Sequence, residues 1–148
     1  MDSKQMIVGN TTEEKVSRLF QKYRYWAHIM ARTASGQPVD IVACKENKNW
    51  LVDAKHISSN KKHFTFTRVE ANQMSSMEYA REFSGIKNLG FVFCVGDDYD
   101  KFLFLHYDKC KEMLKEGRKS VKISELIDFE EVIEWYLMIL RLFVKMLL

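Results

Sequence analysis

Two carboxylates and a lysine lie on a predicted β-hairpin, and together these residue types can do chemistry. The segment "GQPVDIVACKENKNWLVDAKH" (36–56) has an apolar run on each side of the turn-like "KENKN", as hairpins do. If the turn has two or four residues, facing residues have numbers that sum to 93, and Asp40 then lies opposite Asp53. Strand alternation places Lys55 on the same face as Asp53 and turns Ala54 to the other face.

Two opposed carboxylates need a positive charge close by. Opposed residues of an antiparallel pair have Cβ atoms about 5 Å apart, and like charges at that distance destabilise the sheet. One ammonium group cannot neutralise two anions, whereas a hard divalent cation can. Carboxylate oxygens and water are the ligands that Mg²⁺ or Mn²⁺ selects. The hairpin therefore predicts a metal site with Asp40 and Asp53 as ligands.

A third metal ligand is expected from a helix that precedes the hairpin. The segment "NTTEEKVSRLFQKYRYW" (10–26) opens with a capping-type residue, Asn10 or Thr11. Its apolar residues follow helical spacing: Val16, Leu19, Phe20 and Tyr23. At about 100° per residue, Glu13 flanks the core-facing stripe, and Glu14 points to solvent.

The remaining periodicity predicts a central mixed β-sheet with helices packed against it, an α/β arrangement. A strand over "AHIMARTA" leads through the small residues "TASGQ" to the hairpin. After it come a helix over 69–83, ended by Ser84 and Gly85, a strand over "LGFVFCVG" and a strand over "KFLFLHYD". The first of these strands is apolar on both faces, as in the interior of a sheet. A short helix then ends at Gly117.

Length and composition indicate one globular domain over residues 1–148. A hydrophobic content of 47% excludes a disordered chain. The three cysteines, Cys44, Cys94 and Cys110, do not have the spacing of metal ligands and indicate reduced thiols. Reduced thiols predict a cytoplasmic protein, which acts either in its own cell or, if a virus or phage encodes it, in the host cell. The net charge of +3 does not by itself indicate nucleic acid. The acid-free run 55–68 is either a solvated loop or a surface that follows phosphates.

The C-terminal segment 124–148 is predicted to be helical and to be used for dimerisation. Its apolar part, "VIEWYLMILRLFVKMLL", carries Glu134, Arg141 and Lys145 on one helical face. It is also short for a bilayer span, so a helix packed on the domain or on a second copy is favoured over a membrane anchor.

At this point the sequence resembles the PD-(D/E)xK nucleases, on "PVD", a spacer and "DAK". The wider order is similar to the archaeal-type Holliday-junction resolvases, over roughly residues 9–108. Gly9 and Glu13 match a glycine and a glutamate of their first helix, and Gln73 matches a glutamine of the helix after the D-x-K strand. The loop "RTASGQPVD" matches their small Ser/Gly loop. The sequence departs from that family in having Asp53 where glutamate is usual.

The resemblance implies a restriction-endonuclease-like fold and a homodimeric, Mg²⁺- or Mn²⁺-dependent endonuclease that resolves four-way DNA junctions in recombination and repair. One or two ions would be held by Glu13, Asp40, Asp53 and the Ala54 carbonyl. Lys55 would orient the attacking water or offset negative charge, and Gln73 would position the water or the phosphate. The residues expected to contact nucleic acid are Thr33, Ser35, Lys61, Lys62 and Arg68.

Two other functions remain open on the sequence. A nuclease of the same fold could act on flapped or nicked DNA, on a restriction site or on RNA. A metal site binds a phosphate group and does not by itself distinguish between these forms of nucleic acid. A non-catalytic nucleic-acid-binding module could keep the fold. Two acids and a lysine together argue against the module, since carboxylates facing phosphates weaken a purely binding surface.

Overall fold

The structure, a computed structural model, describes residues 3–34 and 36–148, with side chains described for 11–34, 36–134, 139 and 141–148. The helices are α1 (Ser3–Lys22), α2 (Ala71–Phe83), α3 (Tyr107–Lys115) and α4 (Phe129–Leu147). The strands are β1 (Trp26–Ile29), β2 (Ile41–Lys45), β3 (Lys48–Ile57), β4 (His63–Thr65), β5 (Asn88–Val95), β6 (Lys101–His106), β7 (Ser120–Lys122) and β8 (Ile127–Asp128).

Six strands form one mixed sheet in the order β1-β2-β3-β5-β6-β8. The pair β3–β5 is parallel and the other neighbours are antiparallel. A parallel pair needs a crossover, and here the chain between β3 and β5 passes through β4, a 3-10 turn and α2. The predicted mixed sheet flanked by helices is confirmed.

The β2–β3 hairpin has the short turn that the sequence allowed. Ile41 pairs with Val52 and Lys45 with Lys48, so Glu46 and Asn47 form a two-residue turn. Glu46 takes a left-handed φ of 52°, which such turns favour. Because the paired numbers sum to 93, the register carries Asp40, the residue before β2, to the level of Asp53.

Two apolar clusters cover the two faces of the sheet. One joins Val16, Leu19 and Phe20 of α1 and Phe129 and Ile133 of α4 to the face that carries Val52 and Val92. The other joins Met77 of α2 and Met113 of α3 to the face that carries Ile57, Phe91 and Phe93. β5 is buried from Leu89 to Cys94, which confirms a strand inside the sheet.

Several element boundaries differ from the sequence-based expectations. α1 begins at Ser3 rather than at Asn10 or Thr11, because a capping-type residue stabilises a helix start by only about 1 kcal/mol and does not forbid a longer helix. The sequence analysis missed the small sheet of β4 and β7, since strands of three residues show no periodicity. The segment 124–128 contains part of a 3-10 turn and β8, so the predicted C-terminal helix begins only at Phe129.

α4 packs on the domain at its start and is exposed at its end. Phe129 and Ile133 are buried. Glu130 accepts a hydrogen bond from Lys22 at the end of α1, and Glu134 accepts one from the hydroxyl of Tyr23, the residue after α1. Exposed apolar residues follow: Ile139, Leu142, Phe143, Val144, Met146, Leu147 and Leu148. The side chains of Trp135, Tyr136 and Leu140 lie outside the described residues. Among the helices as described, none is long and apolar enough to cross a membrane.

Candidate active site

Asp53 is the most deeply placed carboxylate of the site. It lies in the middle of β3 and is fully buried. The Gln73 side-chain amide donates to its Oδ1 over 2.5 Å. The Lys55 ammonium lies 2.8 Å from its Oδ2, without the alignment of a hydrogen bond. The structure therefore brings together Asp53, Lys55 and Gln73, three residues that the sequence singled out.

Asp40 reaches the same place from the neighbouring strand. Its backbone amide donates to the Val52 carbonyl over 3.2 Å, which ties the start of β2 to β3. Its Oδ2 accepts a hydrogen bond of 2.8 Å from the backbone amide of Ala54. The Ala54 methyl group packs with the α1 side of the sheet, as alternation predicts. Asp40 and Asp53 are thus held at the level where β2 and β3 meet.

Glu13 approaches from α1. It is buried, whereas Glu14 beside it is exposed, which is the distribution that the helical angles predict. Its Oε1 lies 3.8 Å from the guanidinium of Arg32. Burial, followed by the negative charge of Asp40, raises the pKa of Glu13 to about 7, although Arg32 and Lys55 act in the opposite direction.

At Asp53, too, burial and a neighbouring carboxylate raise the pKa while a nearby cation lowers it, and Asp53 is buried more deeply than Glu13. Burial and the negative charge of Asp40 raise the pKa of Asp53 well above its ordinary value, and the attraction of Lys55 is too weak to reverse this. Burial and the nearby negative charge therefore favour the protonated form of Asp53.

Gln73 is oriented by the start of α2. It belongs to a capping box in which the Gln73 Oε1 accepts from the backbone amide of Glu70 over 3.2 Å. The same oxygen accepts from the Lys55 ammonium over 3.4 Å. A helix terminus thus fixes one buried amide that touches both Asp53 and Lys55.

The loop between β1 and β2 is tied to α2. The Asn72 amide donates to the Gln37 carbonyl over 3.0 Å, and the Gln37 side chain donates to the Met30 carbonyl. Gly36 has a φ of 91°, and a Cβ there would lie 2.8 Å from the Asn72 side-chain nitrogen. Exposed Thr33 donates to the Gly36 carbonyl over 2.7 Å. Ser35 lies outside the described residues.

The predicted basic contacts divide into two groups. Lys61 and Lys62 are exposed in the loop between β3 and β4, and within the described part of the chain neither pairs with Glu13, Asp40 or Asp53. Arg68 ends the 3-10 turn before α2, and its guanidinium lies 5.1 Å from the centre of the Phe64 ring. Although the residue is exposed, protein packed around it lowers the pKa of Arg68, and attraction by Asp53 opposes this. The negative charge of Asp53 thus acts on the guanidinium of Arg68.

Two residues of the site were missed by the sequence analysis. Arg32 reaches Glu13 only because β1 pairs with β2, a long-range register that local periodicity does not reveal. Glu70 was detectable, because a capping box is a local pattern in which an N-cap residue precedes a Glu or Gln by three positions.

The carboxylates fit a hard divalent cation by their chemistry and by one unsatisfied atom. Oδ2 of Asp53 is buried and accepts no hydrogen bond. The Lys55 ammonium lies 2.8 Å from that oxygen, but one ammonium offsets only one of the two buried carboxylates, Asp40 and Asp53. Within the described part of the chain, no three His, Cys, Asp or Glu side chains already converge on one point. Mg²⁺ needs only one or two carboxylates with several waters, so Asp40 and Asp53 suffice.

Comparison with known proteins agrees with this geometry at the level of the fold. The structure matches Hjc, a Holliday junction resolvase from the hyperthermophilic archaeon Archaeoglobus fulgidus, with a TM-score of 0.61. The chain has an Hjc-like nuclease fold. The match covers 84% of this chain and 99% of that chain at 18% sequence identity, which is a likeness of fold. No protein-family profile matches the sequence, and the sequence matches no curated protein.

Proposed function

We propose that this protein is a divalent-metal-dependent endonuclease that hydrolyses phosphodiester bonds in branched DNA. The observation that carries the proposal is the buried pair of Asp40 and Asp53, with Lys55 2.8 Å from Asp53, at the level where β2 and β3 meet. The Hjc-like fold supports it, because the archaeal protein of that fold is a Holliday junction resolvase.

In this proposal Asp40 and Asp53, with Glu13 and the Ala54 carbonyl, hold one or two Mg²⁺ or Mn²⁺ ions. A bound cation supplies Lewis-acid chemistry: it lowers the pKa of water and offsets charge on the phosphate. Gln73 holds the Asp53 Oδ1 and limits rotation of that carboxylate. Gln73 is therefore proposed as a positioning residue, rather than as the group that touches the phosphate.

Lys55 has two roles in the proposal. Without a cation, its ammonium lies against the Asp53 Oδ2 and partly compensates the buried charge. With the carboxylates engaged, Lys55 orients the attacking water and stabilises negative charge that develops on the phosphate. Lysine suits both roles because its ammonium is a compact charge on a flexible stem.

The proposed DNA contacts come from the loops on either side of the β2–β3 hairpin in the sequence. Arg68 and the exposed lysines Lys61 and Lys62 would bind neighbouring phosphates, together with Thr33 and Ser35 of the β1–β2 loop. A symmetric homodimer would supply two sites, which suits a four-way junction because its resolution needs two cuts on opposed strands. Exposed apolar residues at the end of α4 are the proposed contact between copies.

Labelled DNA substrates test this function. The protein is incubated with a four-way junction and with linear duplex of the same arm sequence, in Mg²⁺ and in EDTA. Paired cuts in the junction that require Mg²⁺ are expected, with little cutting of linear duplex. Equal cutting of both substrates would indicate a general nuclease, and binding without any cutting would indicate a non-catalytic module.

A further inference from the structure

An exposed aromatic pair lies on the edge of the sheet. The Trp26 and His28 rings of β1 are parallel within 4°, with centroids 5.8 Å apart. Trp26 is 62% exposed, although tryptophan is usually buried to a large extent. β1 is the first strand of the sheet, and within residues 3–34 and 36–148 it pairs with β2 alone, so the rings lie at a sheet edge.

The pair faces the same side of the sheet as the candidate active site. Ala27 and Ile29, which alternate with the two rings, pack with the α1 side of the sheet. His28 pairs with Val42, and Val42 with Leu51, both of which pack on the opposite side. Asp53 and Lys55 continue the alternation of Leu51, and therefore share this face.

The spacing between the rings and the carboxylates can be read from the register. The Met30 amide donates to the Asp40 carbonyl over 2.8 Å, which places Met30 beside Asp40. Trp26 is four residues from Met30, or about 13 Å along the strand, and one strand spacing of about 4.8 Å to the side. Trp26 is thus about 14 Å from Asp40, the length of about four stacked nucleotides at 3.4 Å each, and His28 is nearer, at about 8 Å.

The chain around this pair is basic. Residues 15–39 contain no Asp or Glu, and contain Lys15, Arg18, Lys22, Arg24 and Arg32. Arg24, two residues before Trp26, is exposed with a left-handed φ of 66°. Lys15, Arg18 and Lys22 lie on α1, which covers the other face of the sheet, and Lys22 and Arg32 pair with Glu130 and Glu13. Arg24 is the exposed cation that adjoins the rings in the sequence, and its charge attracts a phosphate backbone that crosses this surface.

A second exposed aromatic pair shows the contrast. Tyr79 and Phe83 of α2 are 64% and 78% exposed, with ring centroids 5.0 Å apart. Glu78 and Glu82 adjoin them in the sequence, with Arg81 between the two rings and Lys111 paired with Glu78. The two pairs are similar in exposure, but this pair does not lie in an acid-free segment as Trp26 does. Tyr79 is therefore the matched control for Trp26.

We propose that Trp26 and His28 form a stacking platform for an unpaired base of the DNA that is being cut, a few nucleotides from the scissile phosphate. The inference rests on the proposed nuclease function and specifies its substrate: DNA with a base unpaired near the branch. An aromatic face accepts any base, so the platform recognises a break in pairing and not a sequence.

Binding measurements in EDTA test the platform without cleavage. The affinities of the native protein, Trp26→Ala, Trp26→Phe and the control Tyr79→Ala are compared on a branched DNA with single-stranded arms and on fully paired linear duplex. Trp26→Ala is expected to bind branched DNA about tenfold more weakly, as the loss of one base–aromatic stack requires. Trp26→Phe and Tyr79→Ala are expected to bind like the native protein. Linear duplex is expected to change by less than about twofold, since phosphate contacts dominate there.

A fluorescent base analogue, 2-aminopurine, locates the stacked base. Placed in turn at positions up to about four nucleotides from the branch, it is expected to be quenched by the native protein and not by Trp26→Ala. Equal affinity of Trp26→Ala and native protein for branched DNA would overturn the platform, while Mg²⁺-dependent cutting would still support the nuclease. An equal loss on both DNAs, or a change of oligomeric mass in Trp26→Ala, would also overturn it. Failure of the native protein to bind any DNA would instead reject the nuclease function.

Discussion

The carboxylate of Asp53 is buried between one cation and one anion. Lys55 attracts it at 2.8 Å, but burial and Asp40 prevail, and the pKa of Asp53 lies well above its ordinary value. A buried carboxylate held by one ammonium and one amide remains costly to bury, and carboxylates with such raised pKa values concentrate at functional sites. At the residue scale, this imbalance of charge is what the proposed divalent cation would offset.

Substitution of Lys55 tests whether this lysine acts in turnover rather than in metal binding. Lys55→Ala is expected to lower the cleavage rate by about a hundredfold, because charge on the phosphate is left without a stabilising cation. The rise in melting temperature on addition of Mn²⁺ is expected to persist, since the carboxylate oxygens remain. Lys61→Ala, at an exposed loop lysine, serves as the control for both measurements. Loss of the Mn²⁺ shift with unchanged turnover would contradict the assignment.

The raised pKa of Glu13 predicts a pH dependence of stability in EDTA. The unfolded chain releases this proton near pH 4.5, whereas the folded protein keeps it to about pH 7. Between these values the folded state binds more protons, so the free energy of unfolding falls as pH rises and is constant above. Urea unfolding at about pH 5 and pH 8 measures the fall. Glu13→Gln is expected to reduce the fall, and the matched control Glu14→Gln to leave it unchanged; an equal fall in Glu13→Gln would contradict the burial.

At the residue scale, the sequence predicted side-chain positions correctly where they follow from the geometry of a single helix or hairpin. The angle around α1 separates Glu13 from Glu14, and the register sum of 93 aligns Asp40 with Asp53. The burial of Gln73 was not predictable from helical periodicity, because its side chain is turned inward by the capping box and by Asp53. The roles of all these residues remain predictions.

At the scale of elements, the strand β3 that carries Asp53 and Lys55 pairs with β5, and β5 in turn packs closely against the backbone of β6. Gly90 of β5 has a φ of 155°, and a Cβ there would lie 2.3 Å from the Leu105 carbonyl oxygen and 3.0 Å from the Cα of His106. Those atoms belong to the backbone of β6, which cannot move aside as a flexible side chain can. Gly90 is therefore a steric requirement of the β5–β6 pair.

Substitution of two glycines separates this clash from simple backbone strain. Gly90→Ala is expected to lower the free energy of unfolding by about 3 kcal/mol, from strain and overpacking together. Gly85→Ala, at a φ of 66° with no atom within 4 Å of its Cβ, is expected to lose only about 1 kcal/mol. Chemical denaturation of the two variants and the native protein makes the comparison. An equal loss of unfolding free energy in the two variants would show that the β6 backbone can move away from the added Cβ at little cost.

The order of the long elements was predictable because their periodicity extends over many residues. β4, β7 and β8 were not, since strands of two or three residues exist only through their partners. The pairing of β6 with β8 also means that part of β6 is not a free edge of the sheet.

At the scale of the whole molecule, the exposed end of α4 predicts self-association. The double variant Phe143→Glu with Leu147→Glu is expected to be monomeric at micromolar concentration, where the native protein is expected to be a dimer. Stable interfaces bury about 1,200–2,000 Å² in total, and two charges at the centre of an apolar contact disrupt it. Phe83→Glu, exposed at the end of α2, is the matched control, and Ile133 is left intact because it is buried. Sedimentation that shows a native monomer, with and without junction DNA, would contradict the dimer.

The central claim is that Asp40 and Asp53 hold the cation that cleaves DNA, and Asp53→Asn tests it most directly. The Mg²⁺-dependent cutting rate of a labelled four-way junction is measured for the native protein, for Asp53→Asn and for Asp97→Asn, an exposed acid after β5. Asp53→Asn is expected to lose more than about a hundredfold in rate and to bind the junction as tightly as the native protein or more tightly, because one negative charge near the phosphate is gone. Asp97→Asn is expected to cut normally. A near-native Mg²⁺-dependent rate in Asp53→Asn would contradict the account.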